Sequence, residues 1–214
     1  MAISTQLGYD DLPALLQLQT GDEKHDSSSH STLDVLWVLY DRILEPGDRF
    51  LLSKGHGPTA FYAVLAAKGI LPVETLSTFG AFDSPLGHHP DRLLVPGAEI
   101  SSGSLGHGLG IGVGMALAGR RVYCLVGDGE LDEGSNWEAV QYAGRLGLHR
   151  LTTIVIDNAS STYRWPGGVE RRFEIEDWRT VRVDGRDHEA IADAFASTNL
   201  PGGQPTCVVA EVLR

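Results

Sequence analysis

The stretch that decides the fold is VYCLVGDGELDEGSNWEAVQYAGRLGLHRLTTIVIDN, Val122 to Asn158. The apolar run Val122 to Val126 reads as a buried strand that stops at Gly127-Asp128-Gly129. An amphipathic segment from about Ser135 to Leu146 follows. A second apolar run, Leu151 to Ile156, ends at Asp157-Asn158. Strand, helix and strand in this order form a βαβ unit, whose right-handed crossover places both strand ends on one edge of a parallel sheet. Ligands in open α/β sheets lie at that carboxyl edge. Asp128 and Asn158 are therefore expected as neighbours in space.

A hard cation holding a diphosphate suits such a pair. Magnesium takes oxygen ligands in near-octahedral geometry, one or two from protein and the rest from phosphate and water. Asp128 offers a carboxylate and Asn158 an amide oxygen. The flanking glycines let backbone approach a phosphate with no Cβ in the way. Gly-Asp-Gly alone is a common turn; the second strand and its terminal Asp-Asn are what turn the reading towards a site.

The 214 residues suit one domain with a sizeable core. Lys and Arg number 17 against 28 Asp and Glu, a net charge of −11 that argues against nucleic acid or an anionic membrane as the main partner. Cys124 and Cys207 both fall in expected buried strands, which suggests neither a disulfide framework nor a metal cluster. No leader or long apolar span is visible, so a cytoplasmic protein is expected.

Outward from the central stretch, Asp11 to Thr20 reads as a first helix with Pro13 in its opening turn. Ser31-Thr32-Leu33-Asp34 reads as a helix start with a Ser-x-x-Asp cap. Arg49 to Leu52 is a short strand running into Ser53-Lys54-Gly55-His56-Gly57-Pro58, and a helix follows to Lys68 with Gly69 as its C-cap. Pro72 to Leu94 reads as a helix and then a loop with His88-His89. Adjacent histidines point apart and have no third ligand at metal spacing, so a proton-handling or substrate-orienting histidine is the better reading. Gly103 to Gly108 leads into a helix with alternating Gly108, Gly110, Gly112 and Gly114, which tight packing explains as well as function does. No Gly-x-Gly-x-x-Gly occurs, which counts against a dinucleotide fold. After Asn158 comes an expected mobile loop, Ala159 to Val169, aromatic and basic. Thr180 to Val183 and Thr206 to Val212 read as strands around a helix, Asp187 to Ser197.

The ordered motifs Ser53-Lys54-Gly55-His56-Gly57, His89-Pro90-Asp91, Gly103-Ser104-Leu105-Gly106, Gly127-Asp128-Gly129 with Glu133-Gly134, and Asn158 together resemble the transketolase family. The resemblance implies a three-layer αβα fold with a mostly parallel sheet that binds thiamine diphosphate and Mg2+. It implies Asp128, Asn158 and the carbonyl of Ser160 as metal ligands. Cofactor contacts would come from His56, Gly103, Ser104, Leu105, Gly127, Asp128, Gly129, Glu130 and Asn158. His25 and His89 would be acid–base and orienting groups, and Glu133, with Glu138, would link paired sites. Val183-Asp184-Gly185-Arg186-Asp187 is similar to a later family segment. One departure stands out: the family's Gly-His-Pro-Gly appears here as Lys24-His25-Asp26-Ser27.

The resemblance covers only the family's diphosphate-binding domain, residues 1 to 214 here. The pyrimidine-binding domain, with its activating glutamate, is expected on a separately encoded partner chain, in an assembly of two plus two. The implied activity is transfer of a two-carbon ketol unit from a ketose to an aldehyde. Two rival readings stay open at this point: a thiamine-diphosphate component acting on 2-oxo acids, and a cofactor-binding scaffold without catalysis.

Overall fold

The computed structural model describes residues 7–20, 29–200 and 203–212. Its centre is a five-stranded sheet in the order β1-β2-β3-β5-β4, with every neighbouring pair parallel. The strands are β1 (Arg49–Leu52), β2 (Val122–Gly127), β3 (Leu151–Asp157), β4 (Arg179–Asp184) and β5 (Thr206–Glu211). β2 is buried along its whole length, as its unbroken apolar run demands of a strand covered on both faces.

Because strand side chains alternate between faces, β1, β2, β3 and β5 feed two cores, and the edge strand β4 packs only against the first. Tyr123, Leu125, Ile154 and Val208 join one core with α1 (Leu12–Gln17), α2 (Leu33–Val38), α3 (Thr59–Ala67) and α7 (His188–Ala196). Val122, Cys124, Val155 and Val209 join the other with α4 (Gly108–Leu117), α5 (Gly134–Arg145) and α6 (Val169–Glu174). The result is the three-layer αβα arrangement expected from the sequence.

The central βαβ unit falls where its sequence places it. Gly127 pairs with Ile156, and the Asp128 N–H donates to the Ile156 carbonyl at 3.0 Å. Asp128 and Asn158 thus leave the sheet from adjacent strands at the same edge. The helix after Pro58 spans α3 and ends at Gly69, whose φ of +68° a residue with a Cβ rarely adopts.

Other expectations need correction. The first helix stops at Gln17 rather than Thr20, because the Gln19 side chain turns away to donate to the Thr59 carbonyl at 2.9 Å. The Ser31-x-x-Asp34 cap does not form: Thr32 precedes α2 and makes no side-chain cap bond. Asp34 is instead buried and taken by tertiary partners. Its Oδ1 accepts from the Tyr9 hydroxyl at 2.5 Å and faces His188 Nε2 at 2.9 Å, and its Oδ2 accepts from Arg186 at 2.6 Å. A charged partner outbids a local backbone N–H for a carboxylate. The short helix α6 begins at Val169, where the expected loop ends, in a stretch for which the sequence suggested no element. Among the α4 glycines the roles divide. A Cβ at Gly108 would stand 2.4 Å from Ser53, and one at Gly112 would touch Leu51 and Leu151 at 3.4 Å, whereas Gly110 and Gly114 face open space.

Candidate active site

The carboxyl ends of β1, β2 and β3 and the turn before α4 meet at one edge. Asp128, at the end of β2, is 2% exposed. Its Oδ1 accepts from the Ser160 hydroxyl at 2.5 Å and its Oδ2 from the Ser161 N–H at 2.9 Å. A carboxylate has about four lone-pair positions, so both oxygens keep capacity for a cation. At the end of β3, Asn158 holds a buried Oδ1 with no hydrogen-bond partner. An orphaned buried amide oxygen calls for an explanation, and an absent ion or water is one. Ser160 sits against Gly129, where a Cβ would stand 3.5 Å from the Ser160 carbonyl oxygen. The three expected metal ligands are therefore oxygens gathered at the ends of two paired strands, a donor set of the kind magnesium takes.

His56 and His89, far apart in sequence, form the opposite side of the edge. Their rings stand perpendicular with centroids 4.7 Å apart. The turn carrying Gly103 fits between them and the sheet. A Cβ on Gly103, whose φ is +138°, would lie 2.9 Å from the His89 ring, and one on Gly55 would lie 2.7 Å from the Gly103 nitrogen. Only glycine allows this approach. Ser104 is exposed and Leu105 half-buried on the same turn. Glu133 is exposed at the start of α5 and packs its Cβ where a side chain on Gly106 would otherwise go. His25 lies outside the described residues.

Glu130 does not point outwards. It is 3% exposed, and its carboxylate accepts bonds from the turns around it rather than facing the open edge. Burial pushes it up from the usual carboxylate range, against bonds from Ser53, Gly106 and Gly127 that pull it down. Lys54, equally buried, is lowered to about 8 by burial, despite the pull of Glu130 and Asp128.

The loop after Asn158 is tied down by residues that the sequence did not single out. Asp132 accepts from the Ser161 hydroxyl at 2.6 Å and the Thr162 N–H at 2.8 Å. Trp165 donates its indole N–H to the Asp128 carbonyl at 3.3 Å and stacks edge-on against Trp137. The Arg172 guanidinium lies over both indoles. A cavity of about 360 Å³ opens between this loop and Asp128, lined by Asp157, Ser161, Arg164 and Trp165 among others. The spacing of Trp137, Trp165 and Arg172 gave no hint of the stack, because it depends on α5, α6 and the loop folding together.

Residues 41–213 match the protein family described as transketolase, thiamine diphosphate binding domain. The chain is 51% identical over 226 residues to the protein named ferredoxin fas2 of Rhodococcoides fascians, covering 98% of this chain and 74% of that one. It is 32% identical over 214 residues to one subunit of the apulose-4-phosphate transketolase of Actinobacillus succinogenes, covering 89% of this chain and 76% of that one. The solved transketolase from Leishmania mexicana shares the fold, with a TM-score of 0.80 at 24% identity over 96% of this chain and 37% of that one. This chain thus spans little more than a third of that transketolase. Among the described residues no helix is long and apolar enough to cross a membrane.

Proposed function

We propose, from the premise that this chain belongs to the transketolase family as its thiamine-diphosphate-binding domain, that it is the first component of a split ketol transferase. The observation that carries this reading is that buried Asp128 and the partnerless Asn158 amide oxygen follow the ends of adjacent paired strands, with the His56–His89 pair beyond the end of the next strand over.

When bound, thiamine diphosphate supplies a carbanion and an electron sink for breaking a carbon–carbon bond beside a ketone. Asp128, Asn158 and the Ser160 carbonyl would hold Mg2+, and the glycines beside Asp128 would leave room for the diphosphate. His56 would donate to a phosphate oxygen. His89, exposed at the rim, orients the sugar hydroxyls and moves a proton at the reacting carbon, a role for which imidazole suits neutral pH. His25, outside the described residues, would share the acid–base role by the family resemblance.

The second component is a separately encoded chain bearing the pyrimidine-binding domain. Support comes from the Actinobacillus succinogenes relative, itself named as one component of a transketolase, of which this chain covers 76%. An assembly of two plus two is supported by a bare face along α4 and α5, where Ile111 is 42% and Tyr142 52% exposed. Gly110 and Glu138 line a broad depression of about 660 Å³ there.

The test is calorimetric titration of the chain with thiamine diphosphate, with and without Mg2+, followed by assay after adding the partner chain. Asp128→Ala should weaken metal-dependent binding by more than about 100-fold, beyond what loss of an outer-shell group costs, with far-UV circular dichroism unchanged. Unaltered affinity in that variant would remove the ligand assignment. Turnover of a 2-oxo acid in place of a ketose would move the chemistry to the rival class. Cofactor binding without turnover of either by the complex would favour the scaffold.

A further inference from the structure

Glu130 and Lys54 are buried ionisable groups at the very edge where a cofactor is to bind, and both carboxylate oxygens of Glu130 are engaged by the turns around it. Oε1 accepts from the Ser53 hydroxyl at 2.5 Å and the Gly106 N–H at 3.0 Å, and Oε2 from the Gly127 N–H at 3.4 Å. Ser53 in turn accepts from the Gly108 N–H at 3.0 Å. The Glu130 carbonyl accepts from Asn136 at 2.7 Å. The end of β1, the turn before α4, the end of β2 and the first turn of α5 thus converge on one residue. Lys54 lies across the end of β2: a Cβ on Gly127 would come within 3.2 Å of its Cδ. Its side chain thus runs beside the two carboxyl groups that bracket the turn after β2, Asp128 and Glu130, whose charges favour its ammonium form.

Apolar residues would hold these turns together without the desolvation that a buried ion pair suffers. A carboxylate offers something they do not. It accepts several directed bonds at once and fixes the donors at one separation. We propose that Glu130 is a positioning residue, which sets the spacing of the Ser53, Gly106 and Gly127 turns in advance of cofactor binding, with Lys54 as its buried counter-charge. The proposal rests on the cofactor reading above and adds to it a device that preorganises the edge. Preorganisation raises affinity by removing an ordering cost at the moment of binding. Glutamine cannot substitute, since its amide N–H groups would face N–H and O–H donors.

The experiment uses the full chain. Amide hydrogen exchange is followed without cofactor, and the Kd for thiamine diphosphate is measured in saturating Mg2+, for wild type, Glu130→Gln, Lys54→Met and the double variant. In Glu130→Gln, exchange at Gly106, Gly108 and Gly127 should quicken at least about tenfold, the scale of one lost charge-assisted hydrogen bond. Leu125 and Ile154, inside the strands, should stay as protected as before. The Kd should rise by a similar factor. The double variant should recover part of that loss, because it no longer buries an unbalanced ammonium. Should Glu130→Gln fail to fold, Ser53→Ala removes one donor and should give the same local pattern at smaller amplitude.

Wild-type exchange at the three glycines together with an unchanged Kd would overturn the proposal. So would a uniform loss of protection across the sheet, with Kd rising only as the unfolded fraction does. If wild type itself takes up no cofactor, the functional reading fails and the proposal with it. If wild type binds but the variants match it, the proposal fails alone.

Discussion

Asp34 illustrates how one side chain can be claimed by distant parts of the chain. Tyr9, Arg186 and His188 all converge on it. Burial alone would raise its pKa, but the bonds from Tyr9, Arg186 and His188 outweigh that and hold it below the usual 3.8. Tyr9 is pushed up to about 12 by burial and then by this same carboxylate. A carboxyl whose folded pKa is depressed stabilises fully above its unfolded value and loses that contribution as pH falls through the folded one. Asp34→Asn should therefore lower unfolding stability by about 2–3 kcal/mol at pH 7, a figure moderated by Arg186 being 49% exposed. In urea titrations the gap from wild type should narrow as pH falls below 3.8. A gap that persists unchanged in acid would mean the carboxylate's charge is irrelevant. The sequence could not show this hub. Ser31-x-x-Asp34 is a sound local cap signal, and only the return of β4 and α7 beside α2 supplies the competitors.

At the level of elements, β2, β3, β5 and the βαβ unit were legible because burial on both faces leaves a continuous apolar run, while the edge strand β4 showed only as alternating valines. Polar residues at the run's end then mark the sheet's edge. Asp128, Asn158 and His56 come after strands and so fall at that edge, whereas the Gly103 turn follows no strand and was marked only by the family resemblance. The short helix α6 was not legible: six residues give too little periodicity, and Gly167-Gly168 ahead of it reads as loop. Its one visible clue is Val169 and Phe173, four apart and both buried. Phe173 is fully buried and stacks edge-on against Trp137 and Trp178. Phe173→Ala should cost about 3–5 kcal/mol by leaving a cavity between helix layer and sheet. The midpoint of chemical denaturation checks it, and a loss under about 1 kcal/mol would show that α6 contributes little to the second core.

At the scale of the molecule, the two cores differ in what covers them. The α3 helix is buried on every side, whereas α4 leaves Ile111 and Leu117 exposed beside open glycines, and α5 adds Tyr142 and Leu146. A contiguous apolar face of this kind marks an interaction surface. Ile111→Glu should shift the mass seen by light scattering towards smaller species, by placing a charge in a packed contact, while cofactor affinity per chain changes little. Equal mass in variant and wild type would remove α4 from the assembly contact. The indole of Trp165 has a different consequence. Its N–H is bonded to the Asp128 carbonyl, and Trp137 and Arg172 hold it in place. If magnesium binds at Asp128 as proposed, the surroundings of a native fluorophore should change with it, and the chain's own emission would report the ion's arrival without dye or label.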